Sequence, residues 1–391
     1  MKLLKNPTFL KMWLANLAAS FGGIFYEVVI VWYLVTATGS ALVAAGIPLA
    51  VLIGRLIASL LISQKVDSWS TKGVMITAIF MRCLLLVTVL LFADFLTSHL
   101  MLIFTISFVL AIFDCAYDIA RRKSIPELVT PEELVSANGL EGVSASIVRI
   151  FAWGLGGAVI TWLNLGSAIT IALSAFGIAL IFLILSQWTS IKTAPNSEWS
   201  LAGFPQGVKM IKRNDVIKTL VRSKIVFYLM MGFMWVAFPM KVATLGDGML
   251  YGLQGMAFGI GYLLTSILVS RKATNRVGNL YFWGFAIYMV GNVFMSFAWK
   301  PWILLAGLFI SGLGTSYWMT GQSTLIHLEI PTENVGKVFS VYEVFTSLTM
   351  IPGYVLGGLL VDILSPGLVM GVMAVLQFVA LVMVRGIQSR R

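Results

Sequence analysis

Along the chain, long apolar runs alternate with short clusters of charge, Gly, Pro and Asn. Each run approaches or exceeds the roughly 20 residues that an α-helix needs to cross the hydrocarbon of a bilayer. The pattern predicts twelve membrane-spanning helices, at 9–34, 41–62, 74–93, 99–117, 140–163, 168–188, 225–240, 251–269, 280–298, 302–325, 338–360 and 367–384. An even number puts both termini on one side. The first run follows early lysines, as a signal peptide does, yet it is too long and lacks a small-residue cleavage site, so it reads as a helix that stays.

The longest polar stretch is centred near Ser200, and six runs fall on each side of it. Internal repetition supports two halves. The segment from Pro131 to Val135 (PEELV) recurs from Pro331 to Val335 (PTENV), Leu155-Gly-Gly157 recurs as Leu356-Gly-Gly358, and Glu141 matches Glu343, at offsets of 200, 201 and 202. These matches predict an all-α membrane protein of twelve helices in two six-helix pseudo-repeats, a plan used by secondary transporters. The expected organisation is a bundle at 1–190, a cytoplasmic linker at 191–224 and a second bundle at 225–391.

Composition sharpens this picture. Of 391 residues, 59% are hydrophobic and 11% charged, against about a quarter charged in soluble domains. Twelve spans leave no room for a catalytic head outside the membrane. The 27 lysines and arginines against 16 acidic residues would suggest nucleic acid in a soluble protein, but here they sit between the apolar runs, so the implied partner is the bilayer. With Met1 inside, 22 of the 27 basic residues fall on the cytoplasmic side, Lys241 and Lys300 fall outside, and Arg55, Arg82 and Arg149 lie within spans. A bacterial-type plasma membrane with both termini cytoplasmic is expected, and the protein is expected to be a monomer. Cys83 and Cys115 lie in apolar runs without metal-like spacing, His99 and His327 have no neighbour at ligand spacing, and there is no Walker motif. No cofactor, metal or enzymatic activity is expected. The glycines at 22–23, 154–157, 259–261, 312–314 and 357–358 read as close helix contacts.

Several segments carry a resemblance. The run from Ser63 to Gly73 (SQKVDSWSTKG) between spans two and three is similar to the loop motif of the major facilitator superfamily, with Asp67 and Lys72 in place, Ser63 for its glycine and Ser68 for its arginine. Tyr26-Glu27, the stretch from Arg121 through Ser124-Ile-Pro-Glu-Leu-Val129 to Gly139, and Gly336-Lys-Val-Phe-Ser340 resemble the macrolide and siderophore exporters of that superfamily. Ala152-Trp153-Gly154-Leu-Gly-Gly157 is similar to the antiporter signature, with Trp153 where proline is usual. Residues 67–75 also resemble lysophospholipid transporters. The resemblance implies alternating access and a gating role for Asp67 and Lys72.

Charges at membrane depth are costly and mark candidate sites. Arg55, Arg82, Asp114 and Arg149 share a depth of roughly 10 to 14 Å from the cytoplasmic ends, and Asp118 lies one turn from Asp114. Asp114 with Arg149 is the expected ion pair, and the three arginines, exceeding the two aspartates by one positive charge, suit an anionic or zwitterionic substrate. Arg82 reads as structural. Glu27, in the outer half of span one with no cation at its level, is the leading candidate for proton coupling, with Asp114 next, because burial favours the neutral form of a carboxylate. Glu141 and Glu343 are placed in the first turn of their helices, where the dipole holds a carboxylate, and read as gate or structural residues. Tyr26, Trp153, Trp235 and Trp318 are candidates to line the substrate cavity. The expected function is a proton-coupled exporter of a small amphipathic, anionic or zwitterionic molecule. The alternatives are an uncoupled facilitator or lysophospholipid flippase and, from another class, a receptor or membrane enzyme.

Overall fold

The computed structural model describes residues 3–66, 69–92, 99–130, 133–188, 203–271 and 277–387. Among them are thirteen α-helices, two short 3-10 turns and no strand. The helices are α1 (Pro7–Thr38), α2 (Ala41–Val66), α3 (Thr71–Leu91), α4 (Leu100–Leu128), α5 (Leu134–Trp162), α6 (Leu165–Leu185), α7 (Gly203–Arg213), α8 (Asp215–Ala243), α9 (Gly248–Arg271), α10 (Val277–Ser296), α11 (Pro301–Glu329), α12 (Thr332–Ile363) and α13 (Pro366–Val384). Eleven are long and apolar enough to cross a membrane. The other two are α7, with 11 residues, and α10, a 20-residue helix whose Asn279, Tyr281, Trp283, Tyr288 and Asn292 dilute its apolarity.

Helix ends are set by local chemistry. Gly39 ends α1 with φ of 63°, a left-handed conformation that glycine adopts without cost. Ser70 accepts from the Gly73 amide at 3.2 Å, Asn164 from Ser167 at 2.8 Å and Asn214 from Val216 at 2.9 Å, each supplying an acceptor to an otherwise orphaned N–H. Several helices outrun the apolar pattern: α4 continues to Leu128, past the basic run at 121–123, and α8 begins at Asp215, ten residues before the predicted span. Apolarity marks the part of a helix that meets lipid, whereas the helix itself continues wherever its backbone and charged side chains stay satisfied.

Contacts divide the chain into two units. The first comprises Met1–Tyr33 and Gly46–Trp199, the second Leu34–Ala45 and Ser200–Arg391. The predicted linker at 191–224 is helical where described: α7 covers 203–213 and packs on α8 and α12, with Ile211 buried and Val208 against the same core. Its basic residues made it look like a loop, although Val208 and Ile211 stand at helical spacing. In the first unit, Gly22 packs on Phe176 and Gly156 on Val28, where an added Cβ would come within 3.0 and 2.9 Å. In the second, Gly284 meets the Trp318 backbone and Gly312 the Phe258 carbonyl, so α9, α10 and α11 interlock backbone to backbone.

Candidate functional site

The first unit concentrates its charges on one chain of ion pairs. Gly54 permits a tight approach of α2 to α4, since a Cβ there would come within 2.6 Å of the Phe108 carbonyl. That approach carries the next residue, Arg55, onto α4, where Asp114 and Asp118 stand one turn apart on one face. Arg55 pairs with Asp114 and, at 2.8 Å, with Asp118. Arg82 of α3 reaches the other oxygen of Asp114 at 3.1 Å. Arg121 lies 3.5 Å from Asp118 and 2.5 Å from Glu141. Glu141 accepts two bonds from the Asn16 amide at 3.0 Å, and the Tyr117 hydroxyl donates to Asn16 Oδ1 at 2.8 Å. Three guanidiniums alternate with three carboxylates, so the chain is formally neutral.

Beside it lies a cavity of about 370 Å³, lined among others by Ser20, Gly23, Tyr26 and Glu27 of α1, Arg55, Arg82, Ser107, Asp114, Asp118, Arg149 and Phe176. Arg82, buried at 5% side-chain exposure, sits 4.1 Å over the Phe176 ring, in room left by Gly23. The hydroxyls of Tyr26 and Ser107 are buried without a hydrogen-bond partner among the described residues. Glu27 and Arg149 also line this cavity and belong to no ion pair among the described residues, so Glu27, expected with no cation at its level, instead shares its space with Arg55, Arg82 and Arg149. Glu27 and Arg149 are the two charges left over once the neutral chain is counted, so the net formal charge of the lining rests on whether Glu27 holds a proton.

This geometry revises several expectations. Asp114 pairs with Arg55 and Arg82, not with Arg149, because the close approach at Gly54 brings α2 to α4. The excess positive charge expected from three arginines is absent from the chain itself, since Arg149 stays outside it and faces Glu27 in the same cavity. Arg121 was expected in a cytoplasmic loop and instead lies within α4. Glu141 and Glu343 are the eighth and twelfth residues of α5 and α12, beyond the first turn, so ion pairs and not the helix dipole hold them. Lys72 donates to the Ser186 carbonyl at 2.5 Å and lies 5.6 Å from the Trp188 ring. Asp67 lies outside the described residues. Trp153 and Trp235 are half-buried. Trp318, expected to line a cavity, is 3% exposed and packs 4.7 Å from Phe227 and 5.6 Å from Phe285, in the core of the second unit.

One residue was missed. Lys224, expected in the cytoplasmic linker, is the tenth residue of α8 and only 3% exposed. Its ammonium donates to Glu343 at 3.0 Å and lies 4.0 Å over Tyr342 and 4.9 Å over Tyr228. The spacing of Lys224 and Tyr228, one helical turn, was the available signal.

A polytopic helical fold with charges gathered around a cavity in one unit defines a membrane transporter. The chain belongs to the major facilitator superfamily: the family model described as transmembrane secretion effector (MFS_3) matches residues 2–389. Among curated relatives, the uncharacterised transporter YvqJ of Bacillus subtilis (strain 168) is 22% identical over 309 residues, covering 74% of this chain and 70% of that protein. The uncharacterised transporter y4rN of Sinorhizobium fredii is 25% identical over 231 residues, 56% of this chain and 55% of that one. Among solved structures, the nucleoside transporter NupG superposes with a TM-score of 0.75 at 13% identity over 98% of this chain and all of that one. A bacterial homologue of the iron transporter ferroportin superposes with a TM-score of 0.73 at 18% identity over the whole of both chains. At these identities the structures speak for the fold alone.

Proposed function

We propose that the chain is a proton-coupled exporter, working by alternating access, whose cargo is a small zwitterionic amphiphile. The observation that carries this reading is the pair of charges, Glu27 and Arg149, that share the cavity but not its neutral ion-pair chain. A carboxylate and a guanidinium facing one space complement a molecule with one cationic and one acidic group. The acid meets Arg149, where a guanidinium binds a carboxylate bidentately, and the cation meets Glu27. Coupling then follows from competition: a proton on Glu27 removes the charge that holds the substrate's cation, so proton and substrate exclude each other. That exclusion is what exchange against an inward proton gradient requires. A purely anionic cargo would bind better to protonated Glu27 and would move with the proton, which fits an exporter less well. The resemblance to macrolide and siderophore exporters points the same way.

The test uses the full chain in inside-out vesicles and a labelled panel of amphiphiles that each carry one amine and one carboxylate. Wild-type protein accumulates panel members when a pH gradient is imposed. Glu27→Gln, fixed in the neutral form that no longer holds the substrate's cation, loses pH-driven accumulation and weakens downhill exchange of the panel as well. Arg149→Lys cuts transport about tenfold, since lysine offers no bidentate contact. The proton role fails if Glu27→Gln accumulates substrate with an unchanged pH dependence, and the zwitterion reading fails if Arg149→Met transports normally.

A further inference from the structure

A second cavity opens in the other unit, at the ends of its helices away from Lys224 and Glu343. It has a volume of about 550 Å³ and runs between the end of α8 (Lys241, Thr244), the end of α10 (Ser296, Phe297) and the first turns of α13 (Ser365 to Val375). Its floor is apolar. Phe297, Leu368, Val372 and Val375 are 53 to 70% exposed, and no atom lies within 4 Å of where a Cβ on Gly371 would stand. The one charge at its edge is Lys241. A Cβ on Gly367 would come within 3.2 Å of the Lys241 ammonium, which therefore rests against the first turn of α13, where backbone N–H dipoles are also positive.

Lys241 makes no ion pair among the described residues. The two carboxylates at this end are engaged elsewhere: Asp247 accepts from the Met249 and Leu250 amides, and Asp362 from the Ala41 and Leu42 amides and the Ser40 hydroxyl. Trp299, between α10 and α11, and Trp302, the second residue of α11, are 70% and 63% exposed and are residues of the kind that settle at the headgroup level.

An ammonium with no ion pair among the described residues, at the head of an exposed apolar furrow on a helix of membrane-spanning length, has the chemistry of one occupant. We propose that this groove binds an anionic phospholipid of the surrounding leaflet, its phosphodiester on Lys241 and the start of α13 and one acyl chain along Gly371, Val372 and Val375. From Gly367 to Val375 the helix offers about 12 Å of apolar path. One lysine near an anionic headgroup favours it over a neutral one by about fivefold. The assignment stands apart from the transport reading, which uses the other unit.

The test places a photoreactive benzophenone amino acid at Val375 in the full chain, reconstituted in vesicles of equal phosphatidylglycerol and phosphatidylcholine with identical acyl chains. Mass spectrometry reads the crosslinked lipids. Phosphatidylglycerol adducts exceed phosphatidylcholine adducts about fivefold; Lys241→Met brings the ratio to parity, and Lys241→Arg keeps it. Gly371→Leu, which extends into the open furrow, lowers both adducts. A ratio that already equals the vesicle composition, or that Lys241→Met leaves unchanged, overturns the proposal, as does an unchanged adduct yield in Gly371→Leu. Excess inorganic phosphate leaves the ratio alone; if it abolishes the preference, Lys241 serves free phosphate and the lipid assignment falls.

Discussion

The two units solve the same problem, burying helices against one another in a bilayer, with different materials. The first is organised by charge: six alternating ionic side chains are joined through Asn16 to Tyr117, and four of the six border a cavity. The second is organised by packing. Phe227, Tyr281, Phe285, Tyr288 and Trp318 form one aromatic core, and glycines draw α9, α10 and α11 into backbone contact. The repeat-related carboxylates show how far the halves have diverged. Glu141 is met by Asn16 of α1 and by Arg121, whereas Glu343 is met by Lys224 of α8, the first membrane helix of its own half. The same acid is held from the same direction in both halves, once by an amide and once by an ammonium. A polar interior that can change its charge suits a binding site, and an aromatic interior suits a rigid counterpart.

The comparison breaks most sharply at the glycines. Gly284→Leu in α10 drives a side chain into the Trp318 backbone, which cannot yield without separating α10 from α11. The expected cost is more than about 4 kcal/mol, the range reserved for gross steric conflict. The same substitution at Gly142 in the first unit, where nothing lies within 4 Å of a Cβ, is close to neutral. Recovery of monodisperse protein in detergent distinguishes the two. If Gly284→Leu purifies as wild type does, backbone packing is not what holds the second unit.

Next in size is the buried end of the ion-pair chain. Arg82 is 5% exposed at its side chain, and its loss leaves Asp114 with Arg55 alone. Arg82→Met is expected to destabilise by about 3 kcal/mol, as breaking a buried pair does. Arg55→Met removes more contacts, yet Arg55 is 41% exposed and its two aspartates keep Arg82 and Arg121, so about 1 kcal/mol is expected after solvent screening. Thermal melting of the purified variants gives the order. Equal losses would mean that the chain acts as one unit with no buried end.

The sequence revealed the fold because the bilayer imposes a length and an apolarity that any reader can count. Which charges matter was legible for the same reason, since Glu27, Arg55, Arg82, Asp114 and Arg149 stand out against apolar neighbours. Their partners were not legible. Depth along a helix says nothing about which helices touch, and the contact that assigns Asp114 to Arg55 depends on a glycine, Gly54, that looks like any other in the sequence. Charges near helix ends were misread more often. Arg121 and Lys224 stand beside other basic residues and so read as loop residues, although both helices run on past the apolar stretch.

The smallest expected effect concerns Lys224, and it tests whether its ion pair with Glu343 in the second unit is structural. The pair is lopsided: Lys224 is 3% exposed, whereas the Glu343 side chain is 57% exposed. Removing the lysine therefore leaves a carboxylate that water can solvate, and a methionine fits between Tyr342 and Tyr228 with favourable sulfur–aromatic contact. Lys224→Met is expected to change stability by less than about 1 kcal/mol, because replacing a buried ion by an apolar group of similar shape removes its desolvation cost as well as its attraction. Glu343→Gln is the harsher change. It leaves a buried ammonium with a neutral amide oxygen and the faces of Tyr342 and Tyr228 in place of a carboxylate, and a loss of about 2 kcal/mol is expected. Melting of the two single variants and the double variant measures the asymmetry. If Lys224→Met costs as much as Arg82→Met, the second unit depends on charge as the first does, and the contrast between the halves fails.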